Sequence, residues 1–228
     1  MKTLVHIGQH KTASTSIQNT LVNNRGLLLQ AGLWYPTELL GIDFPSHYPL
    51  NIYSLDEGRY SHKKAKLLKN NPQQIKVIMA ELVDAIEKQY KMARANGCHT
   101  VLWSNEGLYL LNSLHEYQQL YDLLMPYSDE LTVICCFREI SSFKKSYIEQ
   151  LYKSGFQPSK DSDSFCYVEP DSWLFDYQRK EKLLDAVFLN NTVVFDYVNS
   201  GMVQLFLQKI GFPQLKLEEL RLNQSEAQ

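Results

Sequence analysis

Four short runs of β-branched and apolar residues punctuate the chain, at 3–7, 100–104, 131–137 and 192–195. None alternates cleanly between apolar and polar, which is the pattern of strands covered on both faces of a parallel sheet. Between the first two runs, Ile75, Ile78, Met79, Leu82, Val83, Ile86 and Tyr90 recur at helical spacing. They predict a long amphipathic helix over 72–95, with Pro72 in its first turn and Gly97 just past its end. Shorter helices are predicted at 15–23, at 140–153 with Phe143, Tyr147, Ile148 and Leu151 on one face, and at 201–210 before Gly211. Strands that alternate with helices predict an α/β fold: a P-loop-like, doubly wound parallel sheet of about four to five strands flanked by helices. Residues 35–60 and 155–173 mix Pro, Gly, Ser and Asp with aromatics and are expected to be irregular acceptor or lid segments of a single domain spanning 1–228.

Composition narrows the classes. With 228 residues, 44% apolar and 21% charged, the chain can build a sizeable core. A formal net charge of −2 gives no global attraction for nucleic acid or an anionic membrane, so any bound anion must be met locally. Cys98, Cys135, Cys136 and Cys166 have neither metal-ligand spacing nor a disulfide framework, which fits a reducing compartment. The N-terminus does not read as a signal peptide, and no apolar run approaches the roughly 20 residues that span a bilayer. A cytoplasmic location is expected.

The first strand runs through Gly8-Gln9-His10-Lys11-Thr12-Ala13-Ser14-Thr15-Ser16-Ile17-Gln18 into a helix. Backbone N–H groups at a helix start are unsatisfied and carry the positive end of its dipole, so they attract anions. Small side chains let a phosphate approach, Lys11 adds a charge, and Ser14, Thr15 and Ser16 add hydroxyls. The alternative is an ordinary turn in which Ser and Thr only cap the helix. The nucleoside-triphosphate pattern G-x-x-x-x-G-K-S/T is not matched, because His10 stands where the glycine before the lysine belongs.

This run resembles the 5′-phosphosulfate loop of sulfotransferases that use 3′-phosphoadenosine 5′-phosphosulfate (PAPS). It is most similar to the bacterial and carbohydrate-directed form H-K-T-G-T-T-S-I/L-Q. Ala13 replaces Gly and Ser14 replaces Thr, and the cradle survives provided position 13 does not need a positive φ. The resemblance implies that Lys11 meets the phosphosulfate and its bridging oxygen, while Thr12, Ala13, Ser14, Thr15 and Ser16 supply backbone and hydroxyl donors. His10 adjoins the loop in an orienting role.

The third strand ends in Arg138, and the helix behind it carries Ser146 and Tyr147. An arginine beyond a strand's carboxyl end can fork a phosphate, or it can pair with Glu139. Its spacing resembles the family's 3′-phosphate motif, R-x-x-x-x-x-x-x-S-F/Y. The second strand leads through Ser104 to Glu106, which resembles the family's S-x-E, and Glu106 is a candidate proton acceptor. His47 is the rival base, after Gly32-Leu33-Trp34-Tyr35-Pro36, which resembles a G-x-x-Y-P turn. His62, in a lysine-rich run, is expected at the surface. Arg221, Asn223 and Ser225 resemble an R-x-N-x-S element of the family, which implies a contribution to the nucleotide or acceptor site; the alternative is a frayed polar tail.

The resemblance implies in-line transfer of a sulfuryl group from PAPS to a hydroxyl or amine of a small-molecule or glycan acceptor, with Lys11 and Glu106 or His47 as catalytic residues and no metal required. The loop variant that this run resembles implies a carbohydrate or glycolipid acceptor; fourteen tyrosines, ten phenylalanines and three tryptophans, several of them in the two irregular segments, can stack on sugar rings or as easily close a small core. A small-molecule kinase using ATP and a non-catalytic nucleotide-binding module are the alternatives. Oligomeric state is not readable.

Overall fold

The computed structural model describes residues 1–43 and 45–218, apart from the side chains of Ile42 and Asp43. In chain order the elements are β1 (Lys2–His6), α1 (Ser14–Asn23), α2 (Arg25–Gln30), β2 (Leu33–Trp34), β3 (Glu38–Leu39), β4 (Ile42–Asp43), α3 (Tyr48–Ser54), α4 (His62–Asn70) and α5 (Pro72–Ala95). Then come β5 (Thr100–Ser104), a 3₁₀ turn (Glu106–Leu110), α6 (Leu114–Leu124), a second 3₁₀ turn (Met125–Tyr127), β6 (Glu130–Phe137), α7 (Ile140–Lys153), α8 (Tyr177–Phe188), β7 (Thr192–Asp196) and α9 (Met202–Lys209).

Five strands form one parallel sheet in the order β2-β5-β1-β6-β7, with Val5 level with Trp103 on one side and Val133 on the other. Burial on both faces explains the absence of alternation, since every residue of β5 and all of β6 after Glu130 are buried. The period of two still divides the strands between two cores. Val5, Ile7, Val101, Trp103, Val133, Cys135 and Phe137 meet α5, α6, α7 and α8 on one face. Leu4, Leu102, Ile134 and Cys136 meet α1, α2 and α9 on the other. The sheet is doubly wound, as its pattern predicts.

The α5 stripe is narrower than its periodicity suggests. Ile78, Leu82, Ile86 and Tyr90 are buried, but Met79 and Val83 are 51% and 42% exposed, because only part of the apolar arc faces neighbours. Segment 35–60 is more ordered than expected: a two-stranded hairpin and α3 lie within it. Segment 155–173 is built of turns and bends, without helix or strand. No described helix is long and apolar enough to cross a membrane. The four cysteines are buried and unpaired.

The chain winds to one side of β1 through β2 and β5, then to the other through β6 and β7. In open α/β sheets ligands bind beyond the carboxyl ends of the strands at such a reversal, here the ends of β5, β1 and β6. Glu106, Lys11 and Arg138 follow those three ends.

Candidate functional site

The loop after β1 is held to β6 by backbone bonds: Gln9 N–H to Cys136 O at 3.1 Å, and Cys136 N–H to Gly8 O at 2.7 Å. Lys11 and Ala13 have φ of 65° and 64°, so position 13 does adopt the left-handed region in which alanine, unlike glycine, is strained. Ala13 is the N-cap of α1 and gives it no side-chain cap, and the first turn holds no acid. The N–H groups of such a helix start attract anions.

The hydroxyls divide differently from expectation. Thr12 Oγ1 donates to Gln9 O at 2.6 Å and Ser14 Oγ to the same oxygen at 3.3 Å. Each hydroxyl has one proton, so these two side chains brace the loop, and only their backbone N–H groups can serve an anion. Thr15 is exposed and Ser16 half-buried. Lys11 is exposed at the loop crest. Partial desolvation lowers its pKa, Lys153 and Arg138 lower it further, and Glu149 opposes them.

Arg138 does not pair with Glu139. That carboxylate caps α7, accepting from Ser141 N–H at 2.9 Å and Ser142 N–H at 2.8 Å. Arg138 Nη1 donates to Lys11 O at 3.1 Å, and Nε to Ser142 Oγ at 3.1 Å. Its guanidinium lies 5.2 Å from the Tyr197 ring centroid. Among the described residues it makes no ion pair. Ser146 is half-buried one turn beyond Ser142, on the same face of α7.

Glu106 packs on the first residue of the loop. A Cβ at Gly8, whose φ is +90°, would come within 2.9 Å of Glu106 Cβ, so only glycine permits this approach. Glu106 Oε2 accepts from Gln18 Nε2 at 3.0 Å, and the same amide reaches Ser104 Oγ at 3.2 Å. His6 Nδ1 meets that hydroxyl at 2.9 Å. Burial lowers His6 to about 4 against the opposing pull of Glu106.

His47 is fully buried, and both ring nitrogens are engaged by backbone. Nδ1 accepts from Ser104 N–H at 2.9 Å, and the Nε2 proton goes to Pro36 O at 2.8 Å. It clamps the 35–47 segment to β5, and burial brings its pKa down to about 4. Its place in the fold is that of a structural bridge.

His62 corrects the expectation of a surface residue. Its ring packs 5.2 Å from that of His10 and 4.6 Å from that of Phe165, although lysines surround it in sequence. The lysines take the outer face of α4, and segment 155–173 folds over the inner one. Arg221, with Asn223 and Ser225, lies outside the described residues.

Gln9 was not singled out in the sequence, yet it ties three elements together. Buried completely, it donates to Tyr177 Oη at 3.0 Å and Tyr109 Oη at 3.3 Å, and accepts from Arg138 N–H at 3.0 Å. Gln18 and Ser142 were also passed over. Their signal was the helical offset that puts Gln18 one turn inside α1, and Ser142 one turn before Ser146.

Among solved structures, the chain is similar to a sulfotransferase from Alicyclobacillus acidocaldarius, with a TM-score of 0.57 and 12% sequence identity over 97% of this chain and 86% of that one. No protein-family model matches the chain, and no curated protein matches it. At that identity the likeness is one of fold: a five-stranded parallel sheet flanked by helices, shared with a sulfotransferase over nearly the whole chain.

Proposed function

We propose that this protein is a PAPS-dependent sulfotransferase. The observation that carries the reading is the convergence at the sheet's switch point: an uncapped helix start with Lys11 after β1, Glu106 after β5 and Arg138 after β6. The neighbour of like fold, itself a sulfotransferase, supports it.

In this reading the 5′-phosphosulfate lies on the backbone N–H groups of 12–16 and Lys11. Arg138 and Ser146 take the 3′-phosphate. The acceptor oxygen attacks sulfur, forming an O–S bond as the bond from sulfur to the bridging oxygen breaks. Glu106 receives the acceptor's proton, with Gln18 holding its carboxylate in place. Charge collects on the departing phosphate oxygen, where Lys11 and the α1 dipole lower its energy. Glu106 is preferred to His47 because both nitrogens of His47 are committed to backbone. The acceptor is a carbohydrate or glycolipid hydroxyl.

The test is calorimetric binding of 3′-phosphoadenosine 5′-phosphate (PAP) against 5′-AMP and ATP. The reading predicts that PAP binds most tightly. Tighter binding of ATP sinks it in favour of a kinase.

A further inference from the structure

Beside the loop after β1 lies a polar cluster that the transfer described above leaves unused. His10 Nδ1 and both ring nitrogens of His62 are buried without a hydrogen-bond partner among the described residues. The two rings lie 5.2 Å apart. Tyr147 sets its ring edge-on to both, at 5.6 and 5.5 Å, while Phe156 and Phe165 close on His62 at 5.7 and 4.6 Å. Buried polar atoms are ordinarily satisfied, so three orphan nitrogens in one place mark a site whose partner comes from outside the chain.

Position gives the cluster its role. His10 immediately precedes Lys11 and Tyr147 immediately follows Ser146, so the pair lies between the loop after β1 and α7, under segment 155–173. Burial holds both imidazoles neutral, with His10 down at about 4, helped by Lys11, and His62 well below its ordinary value, helped by His10 and Lys66. A neutral imidazole offers one N–H and one lone pair. An alcohol donates and accepts at a single oxygen and so can bridge one nitrogen of each ring, whereas a carboxylate only accepts and an ammonium only donates.

We infer that His10 and His62 form the subsite that grips an alcohol group of the acceptor beside the transferring sulfuryl. This rests on the sulfotransferase reading above.

The experiment uses the full chain with ¹³C-labelled histidine, saturated with PAP. The alcohol probes are methyl β-glucopyranoside, methyl β-galactopyranoside and benzyl alcohol, and ring signals are followed by NMR. At least one probe is expected to move the His10 and His62 signals together while His99 and His115 stay fixed. His62→Phe, which keeps the ring and removes the orphan nitrogens, is expected to melt no lower than the parent and to retain PAP affinity. Its probe affinity is expected to fall about tenfold or more, as for a site that loses its hydrogen-bond partners. His62→Gln, which restores a donor and an acceptor, is expected to recover part of the response.

Three results overturn the subsite while leaving the donor assignment intact: no probe shifts either signal with PAP bound, PAP alone accounts for the whole response, or His62→Phe lowers the melting temperature and leaves probe affinity unchanged. If PAP itself does not bind, the sulfotransferase reading fails first and the subsite falls with it.

Discussion

Ala13 sits where the sulfotransferase loop that this run resembles has glycine, and its φ of 64° and ψ of 19° are left-handed. An L-residue pays about 1–2 kcal/mol for that region. Glycine pays almost none of it, but gives back about 0.4–1 kcal/mol through its freer unfolded chain. Ala13→Gly is therefore expected to stabilise the fold by about 0.5–1 kcal/mol, a rise of about 1–4 °C at this chain length. Ala13→Val moves the other way. Its branched Cβ is the poorest fit to positive φ, and the loss is expected to be about 2 kcal/mol, since strained backbone costs of that order are typical. The assay is urea unfolding of the three proteins, compared at equal m values. PAP affinity is expected to survive in the glycine variant and to drop in the valine variant, whose side chain crowds the donors at the start of α1. A glycine variant less stable than the parent by about 1 kcal/mol, or a valine variant as stable as the parent, would refute the left-handed loop, since neither fits the cost of positive φ.

Three further outcomes are expected. Gly8→Ala places a Cβ 2.9 Å from Glu106 Cβ at a φ of +90°; stability measured by urea unfolding is expected to fall by about 2–4 kcal/mol from strain and overpacking together. Glu106→Gln keeps the hydrogen-bonding shape but cannot take a proton, so steady-state assays with a working acceptor should show kcat down about 10²–10⁴-fold, with calorimetric PAP affinity unchanged. Lys180 is buried beneath the 3₁₀ turn that begins at Glu106, with Nζ donating to Tyr109 O at 3.0 Å, Leu111 O at 2.5 Å and Tyr117 Oη at 3.1 Å. Desolvation pulls its pKa from the ordinary 10.5 down to about 7. Between those values the unfolded chain binds the extra proton, so stability rises with pH across that window and levels off above it. Lys180→Met is expected to flatten that rise in unfolding curves taken from pH 7 to 10.5, and an unchanged slope would assign it to other groups.

What the sequence could show follows from how local each feature is. The sheet was legible because its central strands are covered on both faces, so β-branched runs mark them wherever they lie. The helix over 72–95 was legible because its stripe, Pro72 and Gly97 all sit within the segment itself. α6 and α8 carried readable starts that were passed over: Ser113 caps α6 by accepting from Glu116 N–H, and Asp176 caps α8 by accepting from Arg179 N–H. α3 was hidden because its pattern is short and proline-bearing and its burial depends on α5 and α6, distant in sequence. Lys11, Glu106 and Arg138 were nameable because each follows directly on a readable strand. The environments of the histidines were not. His47 is set by Ser104, and His62 by Phe165, contacts that span 57 and 103 residues of chain. Local sequence alone makes His47 a rival to Glu106 as base and puts His62 at the surface, because neither set of neighbours is close in the chain.

Two separate phosphate sites, one on the loop after β1 and one after β6, are tested most directly by calorimetry on two variants. PAP and 5′-AMP are titrated into the parent, Lys11→Ala and Arg138→Ala. Arg138→Ala is expected to weaken PAP by about 10–100-fold, the scale of a lost charge-assisted fork, while leaving 5′-AMP nearly unchanged. Lys11→Ala should weaken both nucleotides alike. If Arg138→Ala leaves the preference for the 3′-phosphate intact, Arg138 does not read that group, and the sulfotransferase assignment is contradicted.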